Sequence, residues 1–81
     1  MVESLELPKD LMYGASIVTI TGRREVLIEN YKGILEYNEE YIRVQAKNVK
    51  ITIFGKQLTI EYYTNEDMKV VGYIKSIEYE A

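Results

Sequence analysis

Two acidic pairs, Glu39-Glu40 and Glu66-Asp67, come closest to a catalytic signature in this chain. Hydrolysis by two carboxyls needs them to converge across a cleft with pKa values pushed apart. Neighbours on polar turns do not converge, so both pairs read as solvated turn residues. Calcium would need alternating oxygen ligands around a glycine, as in Asp-x-Asp-x-Asp-Gly, and no such loop occurs. The serines, Ser4, Ser16 and Ser76, have no histidine anywhere in the chain to activate them. Cysteine is absent too, which removes disulfides, thiolate metal sites and thiol catalysis. Glycines stand singly, so no phosphate-cradling loop is present. The expectation is a protein that is not an enzyme and carries no metal and no cofactor.

Eight tyrosines remain as the residues best suited to recognition. A tyrosine offers large contact area, little rotamer entropy and a hydroxyl. Tyr31, Tyr41 and Tyr63 fall at turns or on polar faces, as does Tyr13, and are the candidate interaction residues. Tyr37, Tyr62 and Tyr73 fall on apolar faces and are expected in the core or at its rim. Arg23 and Arg24 at a hairpin tip join the candidate surface, and with Lys47, Lys50 and Lys56 would form one positive end. Stacking single-stranded nucleic acid on tyrosines would need a basic groove alongside. The formal net charge of −3 argues against such a grip on nucleic acid or anionic lipid.

These side chains must be positioned by strands. Apolar and polar residues alternate from Tyr41 to Tyr63 and are broken by turn signals. A two-residue turn at Lys47-Asn48 sets Ala46 against Val49, Val44 against Ile51 and Ile42 against Ile53, all on one face. A second at Gly55-Lys56 sets Phe54 against Gln57, Ile53 against Leu58, Thr52 against Thr59, Ile51 against Ile60 and Lys50 against Glu61. Upstream, a three-residue loop at Gly22 to Arg24 pairs Ile20 with Val26 and Val18 with Ile28. A four-residue loop at Asn30 to Gly33 pairs Ile28 with Leu35 and Val26 with Tyr37. The last strand, Met68 to Glu80, changes phase, with Gly72 and Ser76 as sites for a bulge or bend. The sum is an all-β domain: a single small antiparallel β-sandwich, immunoglobulin-like, of about seven short strands joined by hairpins.

Eighty-one residues suffice for one domain. Residues 1–14 differ in character and read as an N-terminal arm or short turn, and 15–81 as the β domain. No apolar run approaches the roughly 20 residues that span a bilayer, so no transmembrane segment is expected. Met1-Val2-Glu3-Ser4 begins acidic and leads into no apolar segment, which reads as no signal peptide and a cytoplasmic location.

Four blocks carry a family resemblance: Leu5-Glu6-Leu7-Pro8-Lys9-Asp10, the run Ile28 to Tyr37, the run Ile53 to Ile60, and Gly72 to Tyr79. In order and spacing they resemble the small YabP/YqfC sporulation proteins of endospore-forming bacteria, and the Leu-Pro-Lys-Asp leader is closer to the YqfC branch. The resemblance implies an all-β, sandwich-like domain that acts in endospore formation. It places the protein in the mother-cell cytoplasm, at or near the forespore surface, assembling the spore's outer layers. It further implies a soluble partner for a membrane-associated sporulation protein, and it supplies no catalytic residues. The short acidic start departs from the longer basic segment of relatives and speaks against membrane contact through the leader. A non-enzymatic protein-interaction module is therefore the first expectation. A structural coat component that homo-oligomerises through sheet edges is the second, and a single-stranded nucleic-acid-binding domain the third.

Overall fold

A computed structural model describes residues 15–80; the leader over 1–14, with Tyr13, lies outside them. Six strands form one antiparallel sheet: β1 (Ile17–Thr21), β2 (Glu25–Glu29), β3 (Gly33–Tyr37), β4 (Tyr41–Ala46), β5 (Val49–Tyr63) and β6 (Asp67–Glu80). Their order across the sheet is β1-β2-β6-β5-β4-β3.

Two short connections follow local turn chemistry. The Gly22–Arg24 loop pairs Ile20 with Val26 and Val18 with Ile28, with Gly22 at φ 56°, a conformation glycine enters without steric cost. The Lys47-Asn48 turn pairs Ala46 with Val49, Val44 with Ile51 and Ile42 with Ile53. Asn48, at φ 64°, takes the left-handed conformation that asparagine tolerates.

The expected turn at Gly55-Lys56 does not form. β5 runs straight through it, and Phe54, Gly55 and Lys56 pair instead with Ser76, Ile74 and Tyr73 of β6. Consequently none of the pairs Ile53/Leu58, Ile51/Ile60, Thr52/Thr59 or Lys50/Glu61 exists, and about seven strands become six. The physical reason is that β6, itself 14 residues long, offers β5 a partner over its whole length. A local reversal would have satisfied only half of those backbone groups. What the Gly-Lys signal marks is a bend. Register slips occur between Phe54 and Gly55, between Lys56 and Thr59, and between Ile60 and Tyr62. Gln57 and Gly72 face each other there at φ 54° and 143°. The bend expected near Gly72 and Ser76 is the β6 side of this feature.

The hairpin expected between β2 and β3 is also absent. β2 pairs with β6, Val26 opposite Val70 and Ile28 opposite Met68, while β3 pairs with β4. Asn30, at φ 66°, turns the chain across the end of the sheet. Its N–H donates to Glu66 O (2.6 Å) and the Lys32 N–H to Gln45 O (2.7 Å). Alternation alone could not exclude the hairpin, because Val26 and Ile28 present the same face to either neighbour.

Both halves of the sheet contribute to one core: Val26, Ile28, Leu58, Met68 and Val70 join Ile42, Val44, Ala46, Ile51 and Ile53 in a single cluster. The connecting loops seat on the bulges. Gly55 N and Leu58 N donate to Glu40 O and Glu39 O, both 2.9 Å, while Gly72 N and Ile74 N donate to Arg24 O (3.1 Å) and Arg23 O (2.8 Å).

This construction leaves strand edges open. β5 is paired on both sides over 50–54 but only with β6 over 59–63. β6 is paired on both sides over 68–71 but only with β5 from Tyr73 onward. β1 and β3 close the order at its two ends.

Candidate functional site

The tyrosines sort differently from expectation. Tyr31, expected at an exposed turn, is only 8% accessible and belongs to the core. Its hydroxyl donates to Thr64 O at 2.5 Å. Burial first, then the neighbouring Tyr63 and Asp67, raises its pKa above the ordinary tyrosine value of 10.0. The unfolded chain therefore loses this proton before the folded one does. Stability supported by neutral Tyr31 is complete below pH 10.0 and declines as pH rises toward the folded pKa. In a Tyr31→Phe variant, urea titrations above pH 10 should show a shallower alkaline decline than wild type.

Tyr41 is half-buried, its ring 6.2 Å from that of Phe54, with the Arg43 guanidinium 5.9 Å from its centroid. Tyr63 is 64% exposed. Tyr37, Tyr62 and Tyr73, expected in the core or at its rim, are each about half exposed. Tyr37 does occupy a core-facing register, opposite buried Ile42, but it ends an edge strand with no neighbour to cover it. The slip after Ile60 turns Tyr62 outward opposite Lys69, and Tyr73 sits beside the bulge. Alternation reports which face a residue occupies, and only packing decides whether that face is covered.

Two grooves result. The first, of about 530 Å³, lies between β3 and the distal half of β5 and is lined by Tyr31, Ile34, Tyr37, Ile60, Tyr63 and Lys32, among others. One side chain spans it: the Tyr37 hydroxyl accepts a hydrogen bond from Ile60 N at 3.3 Å. Two unpaired strand edges thus face one another across an apolar floor. A strand-edge N–H here rests on a side-chain oxygen where a backbone carbonyl would complete a ladder.

The second groove, of about 430 Å³, lies over the bulges and is lined by Arg23, Glu40, Phe54, Lys56, Tyr73 and Lys75, among others. Beside it the Arg24 guanidinium sits 4.6 Å from the Tyr73 ring centroid. The structure thus brings Arg23, Arg24 and Lys56 together as expected. It leaves out Lys50, six residues and about 20 Å along β5 from Lys56, and Lys47, on the turn before it. Lys75 joins instead. The phase break in the last strand hid it, since no alternation assigns its face there.

Elsewhere two cations are each paired with two acids. Arg43 bridges Glu36 (3.5 Å) and Glu80 (4.0 Å), and Lys69 bridges Glu25 (3.4 Å) and Glu61 (3.3 Å). The hydrogen bond that Lys69 donates to Glu61, then the charge of Glu25, raises the Lys69 pKa. Arg43 Nε also donates to the hydroxyl of Thr52 (3.2 Å), which gives that fully buried polar side chain its partner.

Glu39, Glu40 and Glu66 lie in turns, and Asp67 opens β6. Asn38 Oδ1 accepts from Glu40 N (2.7 Å) and Tyr41 N (2.9 Å), and Thr64 Oγ1 accepts from Glu66 N (3.1 Å) and Asp67 N (2.9 Å). Among the described residues no group of three or more Asp and Glu side chains could hold a metal ion. No helix among them is long and apolar enough to cross a membrane.

No solved structure matches the chain significantly. An uncharacterised protein of Bacillus subtilis (strain 168), YqfC, is 30% identical over 79 residues, covering 98% of this chain and 85% of the relative. The model of the YabP family matches residues 13–81. With a match over that span and that identity across nearly its full length, the chain belongs to the YabP family.

Proposed function

We propose that this protein is a non-enzymatic interaction module of endospore assembly, and that it binds an extended segment of a membrane-associated sporulation protein. The observation that carries the docking site is the aromatic groove, where two unpaired strand edges face each other across Ile34 and Ile60. An added strand would supply carbonyls to the open edge, and its alternate side chains would meet the apolar floor. The sporulation setting, and a place in the mother-cell cytoplasm near the forespore surface, rest on the family resemblance. In this reading the sheet, folded at its bulges, acts as a small β-sandwich with an open slit.

Cross-linking and pull-down from sporulating cells, membranes included, tests the reading with wild type against Tyr63→Ala. Tyr63 is exposed, so its loss should move stability by no more than about 0.5 kcal/mol. Wild type is expected to recover one membrane protein in stoichiometric amount, and Tyr63→Ala at least about tenfold less. Equal recovery by both would remove the groove from the interface.

Self-association is the second reading, favoured by the β3 edge. That strand exposes Leu35 and Tyr37 and contains neither lysine nor proline to discourage pairing. Sedimentation of the pure protein should then show oligomers growing with concentration. A strict monomer or dimer at high concentration would eliminate it.

A further inference from the structure

We propose that the basic end of the molecule docks an acidic, extended peptide segment of a protein partner. The cations come from three separate stretches: Arg23 and Arg24 from the β1–β2 loop, Lys56 from the β5 bulge and Lys75 from the facing bulge of β6. Backbone hydrogen bonds from Gly72 N and Ile74 N to Arg24 O and Arg23 O hold that loop on the bulge. The bend of the sheet therefore sets the positions of all four charges.

Among the described residues none of the four forms an ion pair, whereas Arg43 and Lys69 each bridge two carboxylates. In a chain of net charge −3, acids are plentiful, yet a single acid, Glu40, lines this groove against Arg23, Lys56 and Lys75. The excess of positive charge in the groove favours an anionic ligand. The site is concave, and Phe54 and Tyr73 line it alongside the cations, so apolar residues between acids would also find contacts. Arginine's planar fork suits carboxylates, and Arg24 is already steadied over Tyr73.

A flat anionic bilayer fits less well. Glu40 lines the same groove, and Glu39 stands beside it on the same exposed loop. A membrane would press on both acids, while a peptide can run along the Arg23, Lys75 and Lys56 side. The docking of acidic segments by clustered arginines is a known recognition mode. That the partner is a protein rests on the interaction-module reading; the groove is a separate surface.

Fluorescence anisotropy with the full chain and a labelled peptide of alternating glutamate and valine tests the assignment. A lysine-valine peptide serves as the charge control. Wild type should bind the acidic peptide alone, and more weakly as salt rises. Arg23→Gln with Lys75→Gln should weaken binding at least about tenfold, as expected for two lost charge-assisted contacts. Lys47→Gln with Lys50→Gln makes the same change in net charge away from the groove and should alter affinity less than about twofold. Equal weakening by both pairs, or no binding by wild type, would overturn the proposal. Co-sedimentation with vesicles containing one-third phosphatidylglycerol, without peptide binding, would also overturn it in favour of a membrane surface. These components are pure, so the result is independent of the pull-down. Tyr63→Ala should leave peptide affinity unchanged, so failure of one site is distinguishable from failure of the other.

Discussion

Gly55→Ala is expected to leave most of the protein unfolded at room temperature. A Cβ at this position would lie 2.0 Å from the carbonyl oxygen of Tyr73 and 3.0 Å from a methyl of Leu58. That oxygen is backbone in a paired strand, so it cannot retreat as a flexible side chain would. Relief requires separating β5 from β6 at the bulge that bends the whole sheet. Overpacking of this kind costs about 1–3 kcal/mol where neighbours can shift, and more where they cannot. A domain of this size has only several kcal/mol in hand. Gly72→Ala should behave similarly, because φ there is 143° and the Cβ would sit 2.6 Å from Gln57 O. Gly33→Ala is the control: nothing lies within 4 Å of its Cβ position, and its loss should stay within about 1 kcal/mol. Urea unfolding followed by circular dichroism measures all three. If Gly55→Ala were as stable as Gly33→Ala, the strand crossing would be wrong, and a hairpin turn at Gly55-Lys56 would regain its standing.

Tyr31→Ala should be the next most damaging change, at about 3–5 kcal/mol, the range for removing a large buried aromatic side chain. The ring fills the place where the chain crosses from β2 to β3, and its hydroxyl satisfies Thr64 O across 33 residues of sequence. Tyr31→Phe keeps the ring and should cost about 1–2 kcal/mol for the lost hydrogen bond. This pair of variants bears directly on function. Loss of partner binding in Tyr31→Ala would reflect unfolding, so it identifies no interface residue, although the position reads from sequence as an exposed turn. Tyr63, a neighbour in the same groove, is the position where binding and stability separate. Wild-type stability in Tyr31→Ala would show that the ring is not buried in solution.

The candidate surfaces were only partly legible in the chain. Arg23 and Arg24 were readable as a hairpin tip because Gly22 and the flanking alternation determine that loop locally. Lys56 was recognisable as exposed, but Lys75 was not, and its company with Arg23 depends on two bulges about 20 residues apart in sequence. Of the aromatic groove, Tyr31 and Tyr63 were legible as candidates, but the groove itself was not readable. It exists because β3 and the distal half of β5 lie opposite each other without pairing, which no local pattern encodes.

By itself the sequence determined the all-β class, the registers across Gly22–Arg24 and Lys47-Asn48, and the family. The class and the registers depend on side-chain alternation and turn conformation within a few residues, and the family on a resemblance carried by four blocks in order and spacing. Tertiary structure decided that β5 continues through Gly55, that β2 leaves β3 for β6, and that Tyr31 goes inside while Tyr37 and Tyr73 stay out. The physical reason is common to all three. An apolar strand face is equally content against any apolar neighbour, so the choice falls to backbone hydrogen bonding over the full length of β5 and β6, and to which faces are covered once those two strands bend.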